Sequence, residues 1–219
     1  MRITILTDNP KSWIMPYVER LKEELSQEHD VEHVYKITEI SHGDILFLLS
    51  CESIVPEKYL TFHRNNIVAH PSKLPQGKGH SPLAWQIPEG QNSIPVSLFE
   101  ATKDVDAGDV YQVEYIELKG HELNDEIKHL QGSTTMDIVK RYVAEYKTMK
   151  GIPQSGQASF YKKRSFEASE LSVDKTIEEQ FNLLRVVDNE RYPAFFRMHG
   201  QRYIIKIYKE NEDDSKNTL

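Results

Sequence analysis

A histidine at the end of a predicted strand is the first residue whose position suggests chemistry. Residues 66–70 form a short, largely apolar run that ends at His70, and a loop rich in proline, glycine and serine follows. In a parallel sheet, side chains at the carboxyl ends of strands share a crevice with ligands. An imidazole has a reference pKa of ~6.5 and can accept a proton near neutral pH. The sequence therefore indicates His70 as a candidate general base.

Other catalytic signatures are incomplete or missing. Residues 76–81 resemble part of a phosphate-binding loop, but the Gly-x-x-x-x-Gly-Lys-Ser/Thr spacing is absent. His70 and His80 have no carboxylate or thiolate at metal-ligand spacing, so no metal is expected. The single cysteine, Cys51, excludes an internal disulfide and a cysteine-rich metal site. No Gly-x-Ser-x-Gly or Gly-x-Gly-x-x-Gly motif indicates a serine hydrolase or a nicotinamide cofactor.

The elements that must position His70 follow an α/β pattern. Residues 2–7 predict a first strand, and an amphipathic helix follows, with apolar residues at helical spacing from Ile14 to Leu25. Residues 44–50 are apolar throughout their interior, which is typical of a central parallel strand covered on both faces. We therefore expect a doubly wound, mostly parallel sheet. Further strands are predicted at residues 31–37, 94–100 and 110–118, with helices at 83–87 and on either side of Gly132-Ser133.

The chain divides into two predicted parts. Residues 1–152 form the first domain, and residues 153–219 form a small α+β appendage. The appendage is expected to contain a helix that begins at Ser172 or Asp174, and a hairpin whose second strand covers residues 203–208. Residues 210–219 form a charged tail that is expected to be loose.

Composition limits the classes of partner. The chain has 219 residues, 38% hydrophobic and 28% charged, with a formal net charge of −7, which fits a soluble globular protein. That net charge provides no general attraction to nucleic acid or to an anionic membrane. No apolar run reaches the ~20 residues of a membrane span or forms a signal peptide, so a cytoplasmic protein is expected.

The loop after His70 carries a resemblance to a known family. The pattern His-x-Ser-x-Leu-Pro-x-x-x-Gly-x-x-Pro resembles the signature loop of formyltransferases that use 10-formyltetrahydrofolate. The matching residues are His70, Ser72, Leu74, Pro75, Gly79 and Pro82. The resemblance implies a Rossmann-like catalytic domain and folate as co-substrate. It further implies that folate is bound by Asp104 and by a loop comprising Ser50, Cys51, Glu52, Ser53 and Ile54.

The resemblance also implies a second catalytic residue. In the family, the aspartate of an Asp-x-Gly-(Asp or Pro) turn is catalytic, which maps onto Asp106. A substrate amine attacks the formyl carbon, hydrogen-bond donors stabilise the oxyanion, and the imidazole takes the amine's proton. A nearby carboxylate favours the imidazolium. Without the resemblance, His70 would be interpreted as a core histidine bonded to main chain, and Asp106 as a turn aspartate capping its own backbone.

One family position is occupied by a different residue. The family's asparagine lies two residues before the histidine, where this chain has Val68. Asn66 is one alternation further back on the same strand face, roughly 6 to 7 Å deeper. We expect that a bulge brings Asn66 close, making it the third catalytic candidate, or that another group donates to the formyl oxygen. The remaining alternative is an impaired enzyme.

The carboxyl-terminal region indicates the acceptor. It resembles the corresponding segment of formyltransferases that act on nucleotide-linked amino sugars, with Tyr-Pro-Ala-Phe-Phe at residues 192–196. Aromatic faces suit a base and cations suit a pyrophosphate. For Lys73 and Lys78, the two lysines of the signature loop, the alternative to binding phosphate or sugar is an exposed, solvated position. The acceptor-binding candidates are Lys73, Lys78, His80, Trp85, Arg185 and Tyr192.

The resemblance implies, among the substrates of such enzymes, a dTDP-linked 3-amino- or 4-amino-dideoxyhexose used in bacterial surface polysaccharide such as O-antigen. A methionyl-tRNA formyltransferase would need a longer, basic carboxyl-terminal domain to hold tRNA. A homodimer is expected by analogy with the sugar enzymes. The rival hypotheses are a folate- or nucleotide-sugar-binding module without catalysis, motivated by Val68, and a hydrolase that releases formate from the same folate.

Overall fold

The computed structural model describes residues 1–210, with strands and helices in the alternation that the sequence predicts. The strands are β1 (Arg2–Leu6), β2 (Asp30–Val34), β3 (Gly43–Leu48), β4 (His63–His70), β5 (Lys78–Gly79), β6 (Ser93–Glu100), β7 (Val110–Glu117), β8 (Phe160–Tyr161), β9 (Ala194–Met198) and β10 (Gln201–Ile205). The α-helices are α1 (Met15–Leu25), α2 (Glu57–Leu60), α3 (Leu83–Gln86), α4 (Asn124–Glu145) and α5 (Ile177–Leu184). Short 3₁₀ turns occupy Ile37–Glu39 and Phe166–Ser169.

Six strands form the central sheet in the order β2-β1-β3-β4-β6-β7. The first four run parallel, β6 is antiparallel to β4, and β7 is antiparallel to β6. Five strands therefore share one direction, and the prediction of a mostly parallel α/β sheet is confirmed. The carboxyl ends of β1, β3 and β4 meet at one edge, which is where ligands bind in open sheets.

Helices α1 and α4 cover one face of the sheet and bury its largest apolar cluster. The prediction of two helices separated at Gly132-Ser133 is wrong, because α4 continues through both residues. A Cβ at Gly132 would lie 2.7 Å from ring atoms of Tyr17. The glycine therefore permits the close approach of α1 to α4 and does not end a helix.

The carboxyl-terminal region contains a capped helix and a hairpin. Helix α5 begins after Thr176, whose hydroxyl accepts from the main-chain N–H of Glu179 at 3.2 Å, later than the predicted start at Ser172 or Asp174. Strands β9 and β10 form the expected antiparallel hairpin, but β10 ends at Ile205, before Tyr208. Of the predicted loose tail, residues 210–219, all but residue 210 lie outside the described residues. The predicted division into two parts at residue 152 stays a prediction.

Residues 1–210 lack two features that would indicate a membrane or a metal. No helix in this part of the chain is long and apolar enough to cross a membrane. No group of three or more histidine, cysteine, aspartate or glutamate side chains in this part is arranged to hold a metal ion.

Because His63, at the start of β4, is buried, we expect the protein to lose stability in acid. Its side chain is 6% exposed, with Nε2 3.0 Å from the hydroxyl of Thr4, and burial lowers its pKa to about 4. Between pH 4 and the unfolded-state pKa of ~6.5, the unfolded chain binds more protons than the folded protein does. The contribution of neutral His63 to the free energy of unfolding is therefore fully present above pH ~6.5 and is lost as the pH falls towards 4. The expected loss is about 3 kcal/mol.

Urea unfolding between pH 4 and 7.5 measures this loss. His63→Gln keeps a polar group facing Thr4 but cannot titrate, so the difference in unfolding free energy between wild type and variant should change across this range. A difference that is independent of pH would show that His63 does not cause the acid sensitivity.

Candidate active site

His70 lies at the carboxyl end of β4 with its ring 8% exposed. Its Nε2 is 2.9 Å from the carbonyl oxygen of Gly77. A carbonyl oxygen can only accept a hydrogen bond, so Nε2 carries the hydrogen and the lone pair of the neutral ring lies on Nδ1. The ring also meets Phe99 edge to face, with the centroids 6.3 Å apart. One ring nitrogen is therefore bonded to main chain, and Nδ1 is the atom that can act as a base.

Asp106 lies in the loop between β6 and β7 and reaches the signature loop. Its Oδ2 accepts a hydrogen bond from the main-chain N–H of Gly79 at 2.8 Å, so it caps a distant segment and not its own backbone. Its φ of +51° is in the left-handed region, which aspartate and asparagine tolerate better than most residues. The side-chain amide of Gln154 donates to the carbonyl oxygens of Asp106 and Gly108 at 3.0 and 2.8 Å. The loop is thus held from both sides.

Strand β5 brings the two side chains together. The carbonyl of Gly77, the residue before β5, contacts His70, and the N–H of Gly79, within β5, contacts Asp106. Strand β5 pairs with β8 through the main-chain N–H groups of Lys78 and His80, at 2.9 and 3.0 Å. Gly77 and Gly79 are two positions apart in sequence, so their Cα atoms are at most ~7 Å apart. The imidazole and the carboxylate therefore contact main-chain groups that are two residues apart in the signature loop.

Asn66 does not take the place of the family's asparagine. Residues of β4 pair one by one with β3, Asn66 with Leu46 and Val68 with Leu48, so the expected bulge is absent. Its Nδ2 donates to the carbonyl oxygen of Leu60 at 2.9 Å, and its side chain is 5% exposed. The prediction of a bulge is therefore wrong. Two alternatives remain: another group donates to the oxyanion, or the enzyme is impaired.

A cluster of polar side chains from β4, β6 and β7 anchors the loop that carries Asp106. The carboxylate of Glu100, the last residue of β6, accepts from the main-chain N–H of Asn66 at 2.6 Å, from Nδ2 of Asn65 at 2.9 Å and from the hydroxyl of Tyr111 at 2.8 Å. Burial raises the pKa of the Tyr111 hydroxyl, which therefore stays protonated and donates. These contacts tie β4 to both strands that flank the loop. Sequence periodicity did not indicate them.

The loop after β3 is held by Asp8, a residue that sequence analysis missed. The Asp8 carboxylate accepts from the main-chain N–H groups of Glu52 and Ser53 at 2.8 and 2.7 Å. It follows β1, which is the neighbour of β3 in the sheet, and this adjacency becomes apparent only from the strand order. The main-chain donors of Glu52 and Ser53 are therefore already bonded.

The other residues of this loop differ in their accessibility. Ser50 has a φ of +56°, and its hydroxyl lies 3.1 Å from that of Ser12. The Cys51 thiol donates to the carbonyl of Leu6 at 3.3 Å, and burial raises its pKa to about 12. Ile54 is 70% exposed at the loop's tip. An apolar side chain presented this way can contact a flat ring system.

The predicted acceptor-binding residues fall into separate groups. Lys73 and His80 are exposed in the signature loop, and the Lys78 ammonium lies 6.0 Å from the ring centroid of Phe160. Trp85 is half-buried: its indole stacks on Tyr161 and its Nε1 donates to the carbonyl of Lys162 at 3.0 Å. The structure thus places the first four candidates along the signature loop and α3.

The prediction that Arg185 binds the acceptor is wrong. Its side chain is fully buried, and its guanidinium donates to the side-chain oxygens of Asn182 and Asn92 and lies 3.6 Å from Glu122. Burial lowers its pKa. Arg185 therefore joins α5 to the first domain and is not positioned to contact a substrate. Tyr192 is half-exposed in the carboxyl-terminal region, with its main-chain N–H bonded to Asp188.

Two cavities border these segments. The larger, about 510 Å³, lies among the signature loop, β6, β7 and residues 157–161. Among residues 1–210, Lys73 is the one charged residue in its lining, and the polar groups include the side chains of Gln76, Gln86, Gln91 and Gln157. The smaller, about 420 Å³, is lined by the loop of residues 102–109, including the exposed Asp104. The larger cavity touches Gly77, the residue that bonds His70.

Comparison with known proteins identifies the family. Residues 9–139 match the family model described as formyl transferase. The match includes more than half of the chain, so the chain belongs to the formyl transferase family.

A curated relative and several solved structures are similar over most of this chain. The methionyl-tRNA formyltransferase of Mycoplasma mycoides subsp. mycoides is 26% identical over 177 residues, 78% of this chain and 56% of that protein. The chain thus spans about half the length of the curated relatives it matches.

Methionyl-tRNA formyltransferase from Clostridium thermocellum has a TM-score of 0.82 at 22% identity and covers 96% of this chain and 94% of its own. A 4-N formyltransferase from Francisella tularensis has a TM-score of 0.76 at 16% identity, covering 96% and 98%. HypX from Aquifex aeolicus in complex with tetrahydrofolic acid has a TM-score of 0.76 at 19% identity, covering 97% and 38%. At these identities the structural matches establish the fold.

Proposed function

We propose that this protein transfers a formyl group from 10-formyltetrahydrofolate to the amine of a nucleotide-linked amino sugar. The observation that carries the proposal is that His70 and Asp106 contact main-chain groups two residues apart, at Gly77 and Gly79, while Nδ1 of the imidazole bonds no main-chain group of residues 1–210. The acceptor nitrogen forms a bond to the formyl carbon, and the bond from that carbon to folate N10 breaks. Nδ1 takes the proton from the amine, and N10 gains a proton as tetrahydrofolate leaves.

Two observations support folate as the formyl donor. The HypX structure contains tetrahydrofolic acid in a protein that shares this fold. In this chain the loop from Ser50 to Ile54 follows β3, next to β4, and is held by Asp8 with Ile54 exposed. A loop with fixed main chain and an apolar tip is suited to one face of a pterin ring.

Two observations support a nucleotide-linked amino sugar as the acceptor, in particular a dTDP-linked 3-amino- or 4-amino-dideoxyhexose. A structure described as a sugar N-formyltransferase, from Shewanella sp FDAARGOS_354, matches 96% of this chain and 98% of its own with a TM-score of 0.72 at 16% identity. The larger cavity offers carboxamides, hydroxyls and Lys73 without any carboxylate, so it suits a hydroxyl-rich ligand that carries negative charge.

Methionyl-tRNA is the second candidate acceptor, because the curated relatives carry that name. The formal net charge of −7 opposes it, since tRNA binding depends on neutralising phosphates with basic side chains.

A formyl-transfer assay with both acceptor classes tests the proposal. The purified protein is incubated with 10-formyltetrahydrofolate and either a panel of dTDP-linked amino sugars or methionyl-tRNA, and products are detected by mass. We expect an N-formyl sugar. Formylmethionyl-tRNA as the only product would replace the sugar assignment, and formate released without an acceptor would indicate a hydrolase. Folate binding without any product would indicate a catalytically inactive module.

Lys73 is expected to contribute to acceptor affinity. Lys73→Ala removes the one cation of the larger cavity, and a charge-assisted hydrogen bond is worth ~1.5 kcal/mol or more. The KM for the nucleotide sugar should rise ~10-fold, with kcat and the KM for folate unchanged. Lys147→Ala, an exposed lysine after α4, is the matched control. An unchanged acceptor KM would remove Lys73 from the binding site.

A further inference from the structure

A chain of two hydrogen bonds connects the carboxyl-terminal region to His70. The hydroxyl of Ser159, just before β8, accepts from the main-chain N–H of Gly77 at 2.9 Å. The carbonyl of the same Gly77 accepts from Nε2 of His70 at 2.9 Å. Ser159 therefore acts on the imidazole through a single glycine, although it lies 82 residues from that glycine in sequence.

Gly77 has little freedom to move without breaking these contacts. Its φ is +67°, and a Cβ there would lie 2.8 Å from Cβ of Ser72 and 3.2 Å from the ring of Tyr161. The flanking main chain is also paired with β8, where the N–H of Lys78 donates to the carbonyl of Ser159 at 2.9 Å. The direction of the Gly77 carbonyl is therefore set by the segment around Ser159.

The direction of that carbonyl decides which nitrogen of His70 can act as the base. The two neutral tautomers of imidazole are distinguished by the hydrogen bond that one nitrogen makes. With the Gly77 carbonyl in place, the hydrogen stays on Nε2 and the lone pair stays on Nδ1. If the carbonyl turned away, the hydrogen could move to Nδ1, and the ring would present no base at that atom.

We propose that Ser159 is a positioning residue whose hydroxyl holds the N–H of Gly77, fixes the main chain that leads to the Gly77 carbonyl, and thereby keeps His70 in the tautomer with Nδ1 unprotonated. The effect on the tautomer depends only on the contacts above. Its effect on rate rests on the proposed formyl transfer. A single hydrogen bond contributes ~1 kcal/mol net, so its loss can change the ratio of the two neutral tautomers of His70 by up to roughly fivefold.

The test combines nitrogen NMR with kinetics. Histidine-labelled protein is measured at a pH where the His70 ring is neutral, and the His70 signals are assigned with His70→Asn. Wild type should show the Nε2–H tautomer, Ser159→Ala a mixture of both tautomers, and Ser159→Thr the wild-type pattern because its hydroxyl is retained. In the transfer assay, kcat of Ser159→Ala should fall in proportion to the fraction of His70 that NMR shows in the Nε2–H tautomer, and Ser159→Thr should restore both.

Ser155→Ala is the matched control, because Ser155 is an exposed serine in the same segment. The proposal is overturned if Ser159→Ala leaves the His70 tautomer as in wild type, or if Ser155→Ala alters it equally. If wild type transfers no formyl group to any acceptor, the proposed function fails, and the NMR comparison alone then supports or overturns the role of Ser159.

Discussion

Replacing His70 by asparagine is expected to lower kcat at least a hundredfold, with the KM values for folate and acceptor changed little. A positioned general base contributes ~10² to 10⁴ in rate, and an amide has no lone pair basic enough to replace Nδ1. The side chain is almost fully buried, so few substrate contacts are lost with it. Steady-state kinetics with both substrates measure the effect.

The matched control is His199→Asn. His199 lies at the turn between β9 and β10 with a φ of +51°, a conformation that asparagine adopts readily. It should leave both kinetic constants unchanged. Near-normal turnover of His70→Asn would remove His70 from the role of base, and the interpretation of the Nε2 bond as a catalytic orientation would fail with it.

Replacing Asp106 by asparagine is expected to lower kcat by roughly 30- to 100-fold. Asparagine tolerates the φ of +51°, and its carbonyl oxygen can still accept from the N–H of Gly79, so the loop keeps its conformation and only the charge is lost. A nearby carboxylate stabilises an imidazolium relative to the neutral ring, and ~2 to 3 kcal/mol of such stabilisation corresponds to this loss of rate. That stabilisation appears only when His70 has taken the proton, so kcat falls and KM does not.

Asp106→Ala separates the charge from the hydrogen bond. Alanine removes both, and the N–H of Gly79 loses its acceptor, so this variant should be slower than Asp106→Asn. Asp174→Asn, an exposed aspartate outside the site, is the control. If Asp106→Asn kept wild-type kcat while Asp106→Ala was impaired, Asp106 would serve only to hold the signature loop.

The sequence by itself determined the sheet and the location of its ligand-binding edge. The β-branched run at residues 2–7 indicates the first strand, and the apolar run at residues 44–50 indicates a central strand because burial on both faces leaves no alternation. The proline, glycine and serine after His70 end a strand for local steric reasons, which is why the position of this histidine was predictable. The resemblance of the signature loop to the formyltransferases likewise rests on residues close together in sequence, and the family match agrees with it.

Only the tertiary structure decided how distant segments meet. Gly132 reads locally as a helix break, but the ring of Tyr17 fills the space of its missing side chain. Arg185 reads as a cation for phosphate, but three partners from separate segments enclose it. The contacts of Asp8 with the loop after β3, and of Ser159 with Gly77, depend on strand order and pairing. Local periodicity reports which face of an element is buried, whereas hydrogen bonds between segments dozens of residues apart leave no periodic signal in a single sequence.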